Sequence, residues 1–170
     1  MRTEHVERLK SQINEHETRL LQLSDEEMRK TLGPERWSGK EILGHLSDSA
    51  AMNRQRIVRS QYEPLYEFPF YDQAQWVQIQ AYHEYAWARL VSQFVSEYQH
   101  LIHILEHLPD KSASDKCHIK FSSSDYVSLD WLVGHIYRHN EHHLQQIYWL
   151  VRKSDLPDDR DLYQAIEELP

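Results

Sequence analysis

Apolar residues recur at intervals of three and four along most of the chain, which is the spacing of amphipathic helices. We expect long helices at about residues 3–23, 38–61, 72–107 with a break near 80, and from 128 onward. A capping box at Ser24 predicts a short helix after the first long one, and a short acidic helix is expected after Pro157. Four long helices joined by few connections predict an all-α four-helix bundle with a short C-terminal helix.

Segments 62–72 and 110–127 do not fit this helical pattern. Segment 62–72 holds two prolines and five aromatic residues, so we expect an ordered loop packed on the bundle. Its rings either plug one end of the core or form part of a pocket wall, and packing is the commoner role of buried rings. Segment 110–127 is polar and predicts a loop or a small hairpin.

Length and composition narrow the class of protein. A chain of 170 residues with four glycines and six prolines predicts one helical domain over residues 1–170, not a β-sandwich or barrel. The net charge of −8, with no basic stripe, argues against a nucleic-acid partner. The polar N-terminal segment, the single Cys117 and the lack of an apolar run of about 18 residues predict a cytoplasmic protein without a membrane span.

Four of the 12 histidines lie in the last long helix, at positions 135, 139, 142 and 143. With Leu132 at zero on a helical wheel, His139 falls at about −20° and His143 at about 20°, inside the apolar stripe. Two inward imidazoles one turn apart need partners for their ring nitrogens. They are either hydrogen-bonded core histidines or two ligands of one divalent cation, and the pair alone does not decide between these.

A third ligand would have to come from another helix. His45 directly follows Gly44, and a glycine inside a helix favours the close approach of a neighbour. His45 lies at about −60° on its own wheel, a border position that suits either a crevice between helices or the surface. His135 and His142 fall beside the central pair, where a supporting or surface role is expected. Three histidines of the preceding long helix point away from its apolar side and should be solvated, namely His100, His103 and His107.

Three segments together carry a family resemblance. They are Trp37-Ser-x-x-Glu-Ile-Leu-Gly-His45-Leu-x-Asp48-Ser, Asp72-x-x-x-Trp76 and His139-x-x-x-His143-Leu-x-Gln146-Ile. Over about residues 36–150 the chain resembles the DinB/YfiT-like superfamily. In that family a four-helix bundle holds a divalent metal with one histidine of the second helix and a His-x-x-x-His pair of the last long helix. The resemblance therefore implies that His45, His139 and His143 are metal ligands.

The resemblance implies metal-dependent chemistry on a small-molecule substrate but does not identify the reaction. Our first hypothesis is transfer of a low-molecular-weight thiol to an electrophile, because three neutral imidazoles leave the ion charged and with an open position. The second is hydrolysis by metal-bound hydroxide, with Asp48 as the candidate acid or base. The third is a non-catalytic metal or small-molecule binder. Zinc is expected first and nickel second. A homodimer would resemble family behaviour, but no helix shows a second apolar stripe clear enough to predict an interface, so the oligomeric state stays open.

Overall fold

The protein is described here by a computed structural model that covers residues 2–31, 33, 36–63, 71–109, 119–120 and 126–152. Four long helices make up most of this part: α1 (Arg2–Leu21), α3 (Gly39–Ser60), α5 (Trp87–His107) and α6 (Leu129–Arg152). The short helices α2 (Asp25–Met28) and α4 (Gln73–Ile79) precede α3 and α5. In the predicted hairpin region, β1 (Ile119–Lys120) and β2 (Tyr126–Val127) pair in antiparallel fashion. The predicted all-α four-helix bundle is confirmed.

Each long helix packs against two others, in the order α1, α5, α3, α6 around the bundle. Leucine, isoleucine, phenylalanine and tyrosine side chains from all four helices fill the shared interior. Among those with no more than 1% of their surface exposed are Leu9, Ile13, Leu43, Leu46, Leu90, Phe94, Tyr98, Leu132 and Ile147. Removal of this apolar surface from water is the main source of stability for such a bundle. The same packing makes α3 and α6 neighbours, although α5 lies between them in sequence.

Side-chain caps determine where α3 and α6 begin. The Ser38 hydroxyl accepts a hydrogen bond from the Glu41 backbone N–H at 3.3 Å, and the Glu41 carboxylate accepts one from the Ser38 N–H at 2.7 Å. This is a capping box, which satisfies N–H groups that have no partner within the helix. At the start of α6, the Ser128 hydroxyl accepts from the Trp131 N–H at 3.1 Å. Both helix starts were predicted at these serines.

The predicted break near residue 80 brings an aromatic ring against α3. Helix α4 ends at Ile79, Ala81 adopts a left-handed conformation with φ 51°, and a 3-10 turn follows at Tyr82–Glu84. A Cβ atom added at Gly44 would overlap the Tyr82 ring, so this pair can approach only because Gly44 lacks a side chain. The close approach predicted at Gly44 is therefore confirmed, and the neighbour is Tyr82.

Two predictions rest mainly on residues outside the described ranges. Positions 64–70 of the aromatic segment lie there, and so does the expected C-terminal helix after Pro157. Of the rings at the edges of the aromatic segment, Tyr62 is exposed and Tyr71 is half-buried. None of the described helices combines the length and the apolarity that crossing a bilayer requires.

Candidate metal centre

Three histidine side chains from two helices meet at the contact between α3 and α6. His45 comes from α3, and His139 and His143 lie one turn apart on α6. The Nε2 atoms of His45 and His139 are 3.3 Å apart, and each of the three residues offers a nitrogen within 4.8 Å of the other two. The ring centroids are 4.7 to 5.2 Å apart and the ring planes meet at 70° to 77°, so the rings face one another edge-on.

These distances fit the donor set of a divalent metal ion. Imidazole nitrogens lie about 2.0–2.1 Å from zinc in a tetrahedral site, which places two such nitrogens about 3.3 Å apart. The measured separation between the Nε2 atoms of His45 and His139 has this value. A neutral imidazole pair can share only one proton at such a contact, whereas a cation accepts a lone pair from each ring. Within the described residues, the three-donor group contains no carboxylate.

A side-chain amide sets the tautomer of His143. The Nδ1 atom of His143 lies 3.0 Å from Oε1 of Gln146, one turn further along α6. Because an amide oxygen only accepts, Nδ1–H must donate to it, and the lone pair of His143 is then on Nε2. Metal-ligating histidines commonly have such a partner on their other nitrogen. This role of Gln146 was not predicted, although its spacing of three residues from His143 was a usable signal.

Burial keeps all three rings neutral. It lowers the pKa of His45 to about 4 and the pKa of His143 to about 3, and the nearby His45 ring contributes further to the shift at His143. Burial also lowers the pKa of His139 well below its ordinary value, and proximity to His143 and His45 adds to the effect. Desolvation disfavours the charged imidazolium in each case. At neutral pH the cluster therefore presents lone pairs, the form in which imidazole binds metals.

The helical wheels did not anticipate how deeply each of the three histidines is buried. His45, expected at the border of its apolar stripe, has only 2% of its surface exposed. His139 and His143, expected to point inward, are partly exposed. A helical wheel measures a side chain against the stripe of its own helix, and it contains no information about the neighbouring helix. Here the border side of α3 is covered by α6, whereas the α6 pair lies nearer the edge of the contact.

Aromatic rings continue from the cluster toward solvent along one side of α6. The ring of His135 lies 5.9 Å from that of His139, and Trp131 stacks on His135 at 5.0 Å with an angle of 5° between planes. Trp131 is 41% exposed. On the α3 side, the Trp37 ring lies 5.1 Å from that of His45. The cluster is thus bordered by tryptophans, and residues spaced four apart along α6 lead from the exposed Trp131 to His139 and His143.

The carboxylate of Asp48, the candidate acid or base, is hydrogen-bonded to residues outside the histidine cluster. Its carboxylate accepts hydrogen bonds from the Tyr82 hydroxyl at 2.7 Å and from Nε2 of Gln80 at 2.8 Å. Asp48 is buried, and this burial raises its pKa, with the two hydrogen bonds acting in the opposite direction. The network ties the segment after α4 to α3. This arrangement explains a structural role for Asp48 and gives no support for proton transfer at the histidine cluster.

Among the other histidines are three that were predicted correctly and a buried one that was missed. His100, His103 and His107 are exposed, as predicted, and the His142 ring lies 5.0 Å from that of His143. His16, for which no partner was predicted, is buried with 3% exposure, and its Nδ1 lies 2.8 Å from the Tyr148 hydroxyl. The two residues are 132 positions apart, so spacing along the chain carried no signal for this contact.

Comparison with known families shows to which family the chain belongs. The family model described as the DinB superfamily matches residues 8–147, which include all three histidines of the cluster. The chain belongs to the DinB superfamily. No curated protein matches the sequence significantly. As a DinB member, the chain has the four-helix bundle expected from the resemblance.

A solved structure confirms this fold. YfiT from Bacillus subtilis superimposes with a TM-score of 0.79 at 15% sequence identity, over 92% of this chain and 89% of that chain. YfiT is described as a probable metal-dependent hydrolase with an unusual four-helix bundle topology. At this level of identity the similarity shows that the DinB chain shares the fold of YfiT, and the chemistry of the chain has to be argued from its own residues.

Proposed function

We propose that this chain binds a divalent metal ion through Nε2 of His45, His139 and His143 and acts as a metal-dependent enzyme on a small molecule. The observation that carries the proposal is the convergence of three neutral imidazoles from two helices, with a nitrogen separation that suits one ion. Three protein ligands with a further open position are typical of catalytic sites, whereas structural zinc sites use four. Zinc is the metal we propose first, and nickel is second because imidazole suits both.

The favoured reaction is transfer of a low-molecular-weight thiol to an electrophilic substrate. A bound divalent ion would supply positive charge and an open coordination position, which lower the pKa of a thiol or of water. The protein residues hold that chemistry in place: the three histidines supply the donors, and Gln146 orients His143. Thiol activation of this kind needs no protein general base. This agrees with the engagement of Asp48 by Tyr82 and Gln80.

Hydrolysis is the second candidate, and the similarity to YfiT favours it. YfiT is described as a probable metal-dependent hydrolase. Hydrolysis usually benefits from a group that protonates the leaving group. Of the histidines beside the cluster, His142 and His135 are partly exposed, and burial lowers the pKa of each. They are the side chains we would examine for that role.

The proposal is tested by comparing metal content and turnover in matched variants. We expect wild-type protein to retain about one tightly bound divalent ion after dialysis. His45→Ala, His139→Ala and His143→Ala should each lose this ion while circular dichroism remains helical. His142→Ala, a neighbouring histidine outside the proposed donor set, serves as the control and should retain the metal. Equal metal content in all four variants would exclude this ligand set.

Activity assays then separate the reactions. Metal-loaded wild-type protein is incubated with a panel of electrophiles with and without added thiols, and with ester and amide substrates. Product that requires a thiol supports transfer, and product formed without one supports hydrolysis. Metal binding with no turnover in either panel would leave a metal-binding protein without the proposed enzymatic activity.

A further inference from the structure

A second group of histidines lies on the solvent face of α5, separate from the cluster between α3 and α6. His103 and His107 are exposed, lie one helical turn apart and have ring centroids 4.3 Å from each other. Side chains at this spacing project from the same side of a helix. The pair therefore offers two imidazoles to one ligand without any change in the backbone.

Hydrogen bonding leaves a lone pair available on His107. Its Nδ1 lies 2.7 Å from the carbonyl oxygen of His103, and a carbonyl can only accept, so the proton is on Nδ1. Nε2 of the neutral ring then carries its lone pair. It lies at the outer end of a side chain that is exposed to solvent. This is the tautomer that imidazole adopts when Nε2 binds a metal and Nδ1 is held by a carbonyl.

A carboxylate lies beside the pair. Glu106 precedes His107, and its Oε1 accepts a hydrogen bond from Nζ of Lys10 at 2.9 Å. This bond is the main cause of the lowered pKa of Glu106, and the nearby His107 and His103 rings lower it further. Glu106 therefore remains ionised, but Lys10 balances its charge, so the two imidazoles are the donors to consider.

We propose that His103 and His107 form a second and exposed binding site for a divalent transition-metal ion. Two imidazole donors favour the nitrogen-preferring ions of the series, Ni²⁺, Cu²⁺ and Zn²⁺, over Mg²⁺ or Ca²⁺. The site differs from the inner cluster in its accessibility. A metal ion immobilised on a chromatography matrix can reach this exposed site. The inner cluster is less accessible because it includes the buried His45.

His100, on the same exposed side of α5, provides the matched control. Its Nδ1 lies 3.3 Å from Nη1 of Arg54, which also pairs with Glu97 at 2.5 Å. A guanidinium cation at this distance opposes the binding of a metal ion to the same ring. We therefore assign His100 no part in the second site, although it is as exposed as the proposed ligands.

Chromatography of the untagged chain on immobilised Ni²⁺ tests the proposal, because an immobilised ion reaches exposed ligands only. We expect wild-type protein and His100→Ala to be retained and to elute at the same imidazole concentration. His103→Ala and His107→Ala should each elute earlier, and the double variant earlier still. His45→Ala should behave as wild type, which separates this site from the proposed inner one.

A titration with free Ni²⁺ gives the second measurement. Wild-type protein should bind one equivalent more than the His103→Ala/His107→Ala double variant, and His100→Ala should bind as much as wild type. Three outcomes would overturn the proposal: unchanged retention of the double variant, equal loss of retention in His100→Ala, or equal stoichiometry of the double variant and wild type.

Discussion

The Nε2 atoms of His45 and His139 lie 3.3 Å apart, although the two residues are 94 positions apart in the chain. Two rings that direct the same nitrogen at each other over this distance need a proton or a cation between them. The lowered pKa of both residues, which burial causes first of all, disfavours extra protons at this contact. The relationship therefore links the packing of α3 against α6 to the proposed chemistry.

Gln146 is predicted to control metal affinity without touching the metal. The substitution Gln146→Ala removes the oxygen that holds Nδ1 of His143, so this ring loses its fixed tautomer and orientation. Loss of such a partner typically weakens metal affinity by about 10- to 100-fold. Competition against a chelating dye measures the change. Gln145→Ala, whose side chain instead donates to Glu141, is the control, and equal affinities of the two variants would contradict the prediction.

Gly44 in α3 and Gly134 in α6 are predicted to respond in opposite ways to substitution by alanine. Gly44→Ala places a Cβ inside the Tyr82 ring, and such overpacking costs about 1–3 kcal/mol of unfolding free energy. At Gly134 the added Cβ would meet His5 at 3.3 Å, which a small side-chain movement relieves. Gly134→Ala should therefore be neutral or stabilising by up to about 1 kcal/mol, because alanine favours the helix.

Urea unfolding monitored by circular dichroism measures both glycine variants. We expect the midpoint to fall for Gly44→Ala and to stay or rise for Gly134→Ala. A Gly44→Ala protein as stable as wild type would show that Tyr82 does not need its present position.

Metal-free protein is predicted to lose stability as pH falls from about 6.5 toward 4. The pKa of His45 is about 4 in the folded protein against an ordinary 6.5, so the unfolded chain binds more protons in this interval. The contribution is fully present above pH 6.5 and is lost as pH decreases. A shift of this size corresponds to about 3 kcal/mol. His143, with a pKa of about 3, acts in the same direction.

Urea unfolding at pH 7.5, 6.0 and 5.0, with a chelator present, checks this dependence. His45→Gln lacks the titrating ring and should lose less stability than wild type over the same interval. Identical pH profiles of the two proteins would rule out a depressed pKa at His45.

Trp37 is predicted to report binding at the cluster. Its ring lies 5.1 Å from that of His45, so an ion that quenches fluorescence at short range should affect this tryptophan directly. We expect Ni²⁺ to reduce tryptophan fluorescence in wild-type protein and most of that change to vanish in Trp37→Phe. Trp76→Phe is the control, because its ring packs on Tyr71. A full Ni²⁺ response in Trp37→Phe would place the bound ion elsewhere.

Much of the fold could be predicted because it depends on short-range interactions. The capping box of Ser38 and Glu41 involves residues three positions apart, and the hydroxyl of Ser128 bonds to the N–H of Trp131 at the same spacing. Helical periodicity likewise placed His139 and His143 on one side of α6. Each of these features is decided within one or two turns of a helix, so the order of residues was sufficient.

The tertiary structure alone decided which side chains meet across the bundle. His45 appeared as a border residue, yet it is almost fully buried because α6 covers that side of α3. The contact between His16 and Tyr148 likewise could not be predicted from the sequence, because 132 positions separate the two residues. Such contacts depend on the order of the helices around the core and on the rotation of each about its axis. Those quantities arise from the packing of the whole interior, which the periodicity of a single helix does not contain.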